Sequence, residues 1–283
     1  MKETLFDYDG EVSWCPGCGD YKIMDALKLA LQELGIEPRN LAVAAGIGQA
    51  AKMPHYFNCN CVNGLHGRSL PLATGVKAAN KNLTVLAIGG DGDMYGEGGN
   101  HLIHTTRRNP DITAIVCNNM IYGLTKGQGS PTTELGTKTT TQPFGVTSLP
   151  LNPLALALAC GATFVARSSA AEQERTKEII KQAVTHKGFA LIDIFQPCVS
   201  FNKKNSWQWL QTATKWIDER HDTANFIEAI KLTQEKEPYQ LGIFYRAEGR
   251  AAFEELQAPY AHGDSSPLWQ RNANIEFVNK MLG

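Results

Sequence analysis

Leu83-Thr84-Val85-Leu86-Ala87-Ile88, stopping at Gly89-Gly90-Asp91-Gly92-Asp93, and Ile112-Thr113-Ala114-Ile115-Val116, stopping just before Asn118-Asn119, decide the fold. Both runs are short, apolar and rich in β-branched residues, and both end in turn-forming polar residues. Between them, from about Glu97 to Arg108, lies a helix-length segment. Strand, glycine turn, helix and strand in this order predict a βαβ unit with parallel strands. Neither run alternates apolar with polar residues, as expected when helices cover both faces of the sheet.

The pattern extends in both directions. Upstream, Asp20 is placed to cap a helix with an apolar face of Ile23, Leu27, Leu31 and Leu34, closed by Gly35. Leu41 to Ala45 reads as a strand ending at Gly46-Ile47-Gly48, residues 49–64 read as irregular, and 70–79 as a tightly packed helix. Downstream, Asn152-Pro153 opens a helix to Cys160, Phe164 to Arg167 is a strand, Ala171 to His186 an amphipathic helix, and Phe189 to Phe195 a strong strand. Residues 1–198 are therefore expected to form one α/β domain, a doubly wound and mainly parallel sheet over 20–198 behind an N-terminal cysteine clip. Residues 199–283 carry four of the five Trp, a helix near 224–234 and a strand at Leu241–Tyr245. They read as an extension packed on the domain or on a partner.

Composition narrows the function. The chain has 283 residues, 43% hydrophobic and 19% charged, with a formal net charge of −1. A core is expected, and the charge gives no reason to expect nucleic acid or an anionic membrane as partner. No apolar run nears the roughly 20 residues of a membrane span. The N-terminal stretch has no apolar segment before a cleavage site, so no secretory leader is read and the cytoplasm is the expected location. Seven cysteines, an odd number, point away from a disulfide framework.

In a parallel open sheet, ligands bind beyond the carboxyl ends of the strands. The polar clusters fall at those ends: Gly46 to Gly48, Gly89 to Asp93, Asn118 to Thr125 and Gln196 to Cys198. Asp91 and Asn119 stand at the tips of two strands joined by one helix. A carboxylate and an amide oxygen are hard donors suited to Mg²⁺. Gly89, Gly90 and Gly92 let the backbone approach a diphosphate, and the next helix offers its N-terminus to the anion. Separately, Cys15-Pro16-Gly17-Cys18 is a two-thiolate clip that alone suits zinc, a redox dithiol or part of an iron–sulfur cluster, with Cys198 as a third thiol. Cys117 and Cys160 read as core residues, and His101 and His104 as a helix face packed on the sheet.

Gly-Asp-Gly followed by Asn-Asn resembles the diphosphate-binding domain of thiamin-dependent enzymes. Carried over, the side chains of Asp91 and Asn119 and the backbone carbonyl of Ile121 would hold Mg²⁺. Cofactor contacts would come from Gly48, Gly90, Asp91, Gly92, Asp93, Asn119, Ile121, Gly123, Leu124 and Thr125. More specifically, WCPGCGD, GIG at 46–48, LHGRSLPLATGVKAAN, GGDGD, GGNHLIHTTRRNPDIT, NNMIYGLTKGQGSPTT, QPCVSFN and LGIFYR resemble the β subunit of 2-oxoacid:ferredoxin oxidoreductases over roughly residues 12–248. That resemblance implies thiamin diphosphate, Mg²⁺ and a 4Fe–4S cluster held by Cys15, Cys18 and Cys198. The family's fourth cysteine, directly after Gly-Ile-Gly, is here Gln49; Cys59 is the expected replacement, with Cys61 beside it, while a non-cysteine group or a missing cluster stays open.

The implied reaction is the coenzyme A-dependent oxidative decarboxylation of a 2-oxoacid, 2-oxoglutarate or pyruvate, to acyl-CoA and CO₂ with reduction of ferredoxin. It is reversible in principle. A carbanion left by decarboxylation needs an electron sink that no side chain provides, which is why a cofactor carries the step. Lys126, His66 and Arg68 are the candidate catalytic residues at the crevice. A Glu facing the aminopyrimidine is missing, so a separate α subunit with a pyrimidine-binding domain is expected. A non-redox thiamin-dependent decarboxylase subunit and a zinc-binding scaffold are the alternatives.

Overall fold

The computed structural model describes residues 4–260, 263–272 and 275–282. In chain order the elements are α1 (Asp20–Glu33), β1 (Leu41–Ala45), β2 (Asn60–Asn63), α2 (Ser69–Ala79), β3 (Thr84–Gly90), α3 (Gly99–Arg108), β4 (Thr113–Asn118), α4 (Pro153–Ala159), β5 (Phe164–Ser169), α5 (Gln173–Thr185), β6 (Ala190–Phe195), α6 (Trp207–Thr212), β7 (Thr214–Trp216), α7 (Phe226–Gln234), β8 (Tyr239–Arg246) and α8 (Ile275–Leu282). The strands form one sheet in the order β2-β1-β3-β4-β6-β5-β8-β7. Every neighbouring pair is parallel except β5 and β8. The fold is α/β with a mainly parallel, doubly wound sheet.

The strands lack apolar–polar alternation because both of their faces are covered. Val43, Leu86, Ile88, Ile115, Ile192 and Ile194 pack with α1 and α5 on one side. Ala42, Val85, Ala87, Ala114, Val116 and Leu191 pack with α2, α3 and α4 on the other. Gly35, at φ +68, ends α1 as expected, with the Ile36 N–H returning to the Leu31 carbonyl at 3.0 Å. Asn152 caps α4, its side chain accepting from the Ala155 N–H at 3.2 Å.

Three segments depart from the sequence reading. Residues 49–64 hold a 3₁₀ stretch, Ala50–Tyr56, and the strand β2, all of whose residues are exposed; an edge strand with no buried face leaves no hydrophobic signal. Asp20 begins α1 but does not cap it; it is buried, and its carboxylate faces the Cys18 thiol. Gly92–Glu97 winds as a π-helical turn ahead of α3, with the Gly98 N–H bonded to the Asp93 carbonyl at 2.8 Å. Residues 199–283 continue the sheet: β8 lies against β5, and β7 against β8. The apolar segment 70–79 packs inward through Leu70 and Ala73.

Candidate active site

The carboxyl ends of β1, β3 and β4 open onto a common crevice. It is lined by Ile47, Gly48 and Gln49, by Gly90 to Asp93, and by Asn119 and Ile121 to Thr125, with His66 on its wall. The end of β6 reaches it through Cys198, whose sulfur would lie 3.5 Å from a Cβ placed on Gly123. The structure thus brings together every residue expected to contact the cofactor. Arg68 and Lys126 do not line the crevice; both are exposed, Lys126 one residue beyond Thr125 with φ +76.

Asp91 is the chemical centre of this crevice. It is 1% exposed, and burial raises its carboxyl to about 6. Its Oδ2 accepts from the Thr132 hydroxyl at 2.7 Å, and its Oδ1 lies 3.4 Å from the Asn119 N–H. Opposite it, two successive Asx turns shape the tip of β4. The Asn118 side-chain oxygen accepts from the Met120 N–H at 3.1 Å, and that of Asn119 from the Ile121 N–H at 3.0 Å. They hold Met120 at φ +57, a left-handed conformation that long side chains avoid. The turn sets Asn119 and Ile121 on the crevice wall across from Asp91.

Asp93 joins three loops. Its Oδ1 accepts the backbone N–H of Ile47 at 2.9 Å and of Gly67 at 2.8 Å, and lies 3.2 Å from His66 Nδ1. Burial raises its carboxyl despite these donors. A Cβ on Gly46 would stand 2.0 Å from Asp93 Oδ2, so glycine is required where this carboxylate crosses β1. His66 Nδ1 also lies 3.1 Å from Glu97 Oε2, which accepts from the Tyr122 hydroxyl at 3.1 Å.

The thiols fall into two groups. The Cys15–Cys18 turn packs against residues 198–200: Ser200 Oγ donates to Cys15 Sγ at 3.2 Å, and Gly17 faces Val199. Cys18 Sγ donates to Asp20 Oδ2 at 3.5 Å, and burial and then the Asp20 charge push this thiol well up, with Cys198 a further neighbour. Cys59 is elsewhere. It precedes the first residue of β2, at the amino end of the sheet, contacts the Pro54 carbonyl at 3.8 Å, and is raised to about 12 by burial and by Cys61. The structure does not bring Cys59 to Cys15, Cys18 and Cys198, because a parallel strand separates its two ends. Among the described residues no three His, Cys, Asp or Glu side chains converge as a single-ion site.

Residues 41–194 match the family described as thiamine pyrophosphate enzyme, C-terminal TPP binding domain, and residues 198–262 match the C-terminal family of the pyruvate ferredoxin oxidoreductase β chain. The chain is 40% identical to 2-oxoacid:ferredoxin oxidoreductase 2, subunit beta, of Aeropyrum pernix, over 90% of this chain and 87% of that one. The chain belongs to the β subunits of the 2-oxoacid:ferredoxin oxidoreductases. It is 46% identical to the 2-oxoacid:ferredoxin oxidoreductase β subunit of Saccharolobus solfataricus, over 73% of this chain and 68% of that one. A solved 2-oxoglutarate:ferredoxin oxidoreductase from Magnetococcus marinus, with 2-oxoglutarate, coenzyme A and succinyl-CoA bound, superposes with a TM-score of 0.91 at 32% identity, covering 100% of this chain and 97% of that one.

Within this β-subunit fold, sequence reasoning missed the groups behind Asp91. Thr132 also reaches the Asn118 side-chain oxygen, at 3.0 Å. Asn118 in turn donates to Asp193 at 3.0 Å. Asp193 is fully buried and accepts from Tyr95 at 3.0 Å and from Arg167 Nε at 2.9 Å. Arg167 is capped by the rings of Phe195 and Tyr239, 4.7 and 5.6 Å away. The available signal was a charge inside an otherwise apolar strand, Arg167 in β5 and Asp193 in β6, on neighbouring strands.

Proposed function

We propose that this β subunit, with an α subunit supplying the pyrimidine-binding domain, catalyses the coenzyme A-dependent oxidative decarboxylation of a 2-oxoacid and passes the electrons to ferredoxin, in the cytoplasm. The observation that carries the reading is the crevice at the tips of β3 and β4. Buried Asp91 faces the Asn119–Ile121 turn there, in the segment that matches a thiamin diphosphate-binding domain. The donor set fits the cofactor: one carboxylate, one amide oxygen and one backbone carbonyl are hard ligands for Mg²⁺. Gly90 leaves its surroundings open, since a Cβ there would meet only the Cys117 carbonyl at 3.8 Å. The substrate class is supported by the names of the relatives and by the 2-oxoglutarate in the solved neighbour.

Thiamin diphosphate, when bound, supplies the electron sink that the side chains lack. The chain's own residues bind and orient. Asp91, Asn119 and the Ile121 carbonyl would hold the metal, with Gly90 admitting the diphosphate and Gly92 making room for the Tyr122 ring. His66, with Nδ1 beside the Asp93 and Glu97 carboxylates, stands on the crevice wall. Lys126, at the exposed rim, offers positive charge to a carboxylate entering from solvent. Cys15 and Cys18, on a turn packed against residues 198–200, would with Cys198 hold the iron–sulfur cluster, which supplies one-electron transfer when bound.

The deciding experiment is anaerobic co-purification of the α/β pair. The expected product is brown, retains thiamin diphosphate in the presence of Mg²⁺, and oxidises a 2-oxoacid with coenzyme A and ferredoxin. Asp91→Ala should lose Mg²⁺-dependent retention of thiamin diphosphate; unchanged retention would remove the metal-site assignment.

A further inference from the structure

We propose that the iron–sulfur cluster of this chain is held by three thiolates, Cys15, Cys18 and Cys198, and that the side-chain oxygen of Gln49 stands at its fourth corner. The inference rests on the cluster reading above and deepens it.

A cubane cluster presents four irons, each bound by three sulfides and completed by one further ligand. The remaining thiols are poorly placed to provide the fourth. Cys117 neighbours Asp20 and Cys18 but is fully buried inside β4, and Cys160 follows α4, which packs on the opposite face of the sheet from α1. Cys61 lies in β2, an edge strand, and Cys59 directly precedes it, with β1, β3 and β4 between that strand and β6. Strands are about 4.8 Å apart, so β2 and β6 are separated by roughly 19 Å across the sheet. Cys59 also lies at the amino end of β2, whereas Cys198 lies beyond the carboxyl end of β6. Joining Cys59 to the cluster would require unpicking β2 from β1.

Gln49 is tied to the clip through its backbone. It follows Gly48 at the carboxyl end of β1, and its backbone carbonyl accepts from Trp14 Nε1 at 2.9 Å. Trp14 precedes Cys15 and is wedged between Tyr21 and Tyr56, with ring centroids 5.2 and 4.9 Å away. Residue 49 is thereby fixed to the base of the cysteine clip. Its Oε1 is shielded from solvent and has no hydrogen-bond partner among the described residues. Two further buried oxygens beside Cys18 share that condition, Asp20 Oδ1 and Gln196 Oε1, the latter packed against Gly19. Buried polar atoms are rarely left without partners. Gln49 Oε1, shielded and without a partner, is free to complete the coordination of one iron.

An amide oxygen is a harder and weaker iron ligand than a thiolate. The iron at the Gln49 corner should therefore be the one that leaves. Under ferricyanide, a [4Fe–4S]²⁺ cluster would give [3Fe–4S]⁺, one Fe²⁺ and one electron, the electron reducing ferricyanide to ferrocyanide.

The test uses the α/β complex purified anaerobically, with iron and sulfide analysis and electron paramagnetic resonance. Stoichiometric ferricyanide should release one iron per cluster from the wild type and produce the three-iron signal; added Fe²⁺ with a reductant should reverse it. Gln49→Cys should retain four irons under the same treatment. Cys59→Ser should behave as wild type in iron content and spectrum. Loss or conversion of the cluster in Cys59→Ser would overturn the proposal, as would a wild-type cluster resisting oxidation as fully as Gln49→Cys. A complex lacking iron and sulfide in both wild type and Gln49→Cys, yet binding thiamin diphosphate, would remove the cluster reading itself while leaving the thiamin assignment standing.

Discussion

At the scale of the residue, Thr132 shows how a site depends on a group whose role its motif does not announce. Its hydroxyl has one proton and two acceptors within reach, Asp91 Oδ2 at 2.7 Å and Asn118 Oδ1 at 3.0 Å. Holding Oδ2 in this way fixes the plane of the carboxylate, so that Oδ1 is the oxygen left toward Asn119. Groups that orient metal ligands typically change metal affinity 10–100-fold when removed. Thr132→Val should weaken Mg²⁺ binding in the presence of thiamin diphosphate by roughly tenfold or more. Thr132→Ser, which keeps the hydroxyl, should restore most of it. Titration with Mn²⁺ as a spectroscopic substitute reads this directly, and equal affinities for the Val and Ser variants would refute the role. Asp91 and Asn119 were legible because their chemistry and their place after a strand coincide. Thr132 was not, because its contact spans 41 residues of chain and lies in a segment without periodicity. The thiols divide similarly: Cys15, Cys18 and Cys198 were read from the resemblance of their motifs, while Cys59 is seen to lie apart from them only once the strand direction of β2 is known.

At the scale of the element, β5 and β6 carry a buried ion pair where the sequence reads as plain apolar strand. Arg167 and Asp193 are directly opposite in the register. Removing one partner of such a pair leaves the other charge buried and unpaired, at a cost of about 3–5 kcal/mol. Arg167→Leu should therefore destabilise the chain by about that amount in a denaturant titration. It should also disturb the site, because Asp193 positions Asn118, and Asn118 shapes the turn that carries Asn119 and Ile121. A stability loss below about 1 kcal/mol would show that Tyr95 and Asn118 satisfy Asp193 without the cation. The β1 tip makes a second case. Gly46→Ala places a methyl carbon against the Asp93 carboxylate, and overpacking of this kind costs about 1–3 kcal/mol. The melting temperature should fall, and the Ile47 and Gly67 loops should separate, which amide hydrogen exchange at those two N–H groups would reveal. Apolar runs located β1, β3, β4, β5 and β6 within a few residues. They could not locate β2 or β7, which bury too little to leave a pattern.

At the scale of the whole molecule, the division near residue 198 is one of sequence character, and the sheet runs through it. β8 enters antiparallel to β5 and closes the core over Phe244, so the extension is held by backbone pairing as well as by its tryptophans. The seam between the two segments includes a titratable group. His186, after α5, is buried, and its Nε2 lies 2.9 Å from the Thr163 hydroxyl. Burial lowers its affinity for a proton, and the Arg246 charge on β8 adds to the effect. A histidine held neutral in the folded state contributes stability above its unfolded pKa, near 6.5, and loses it as pH falls through the lower folded value. Unfolding free energy should thus decline below about pH 6.5, and His186→Gln should flatten that part of the profile. An identical acid limb in the variant would assign the decline to other groups.

The two margins of the sheet have one more consequence. On one side β2 has four exposed residues, and on the other β7 has three, with Lys215 at its middle. Stubs of this length offer an incoming strand almost no ladder to extend, and a lysine there discourages it further. Neither flank is built to extend its ladder into a neighbouring molecule.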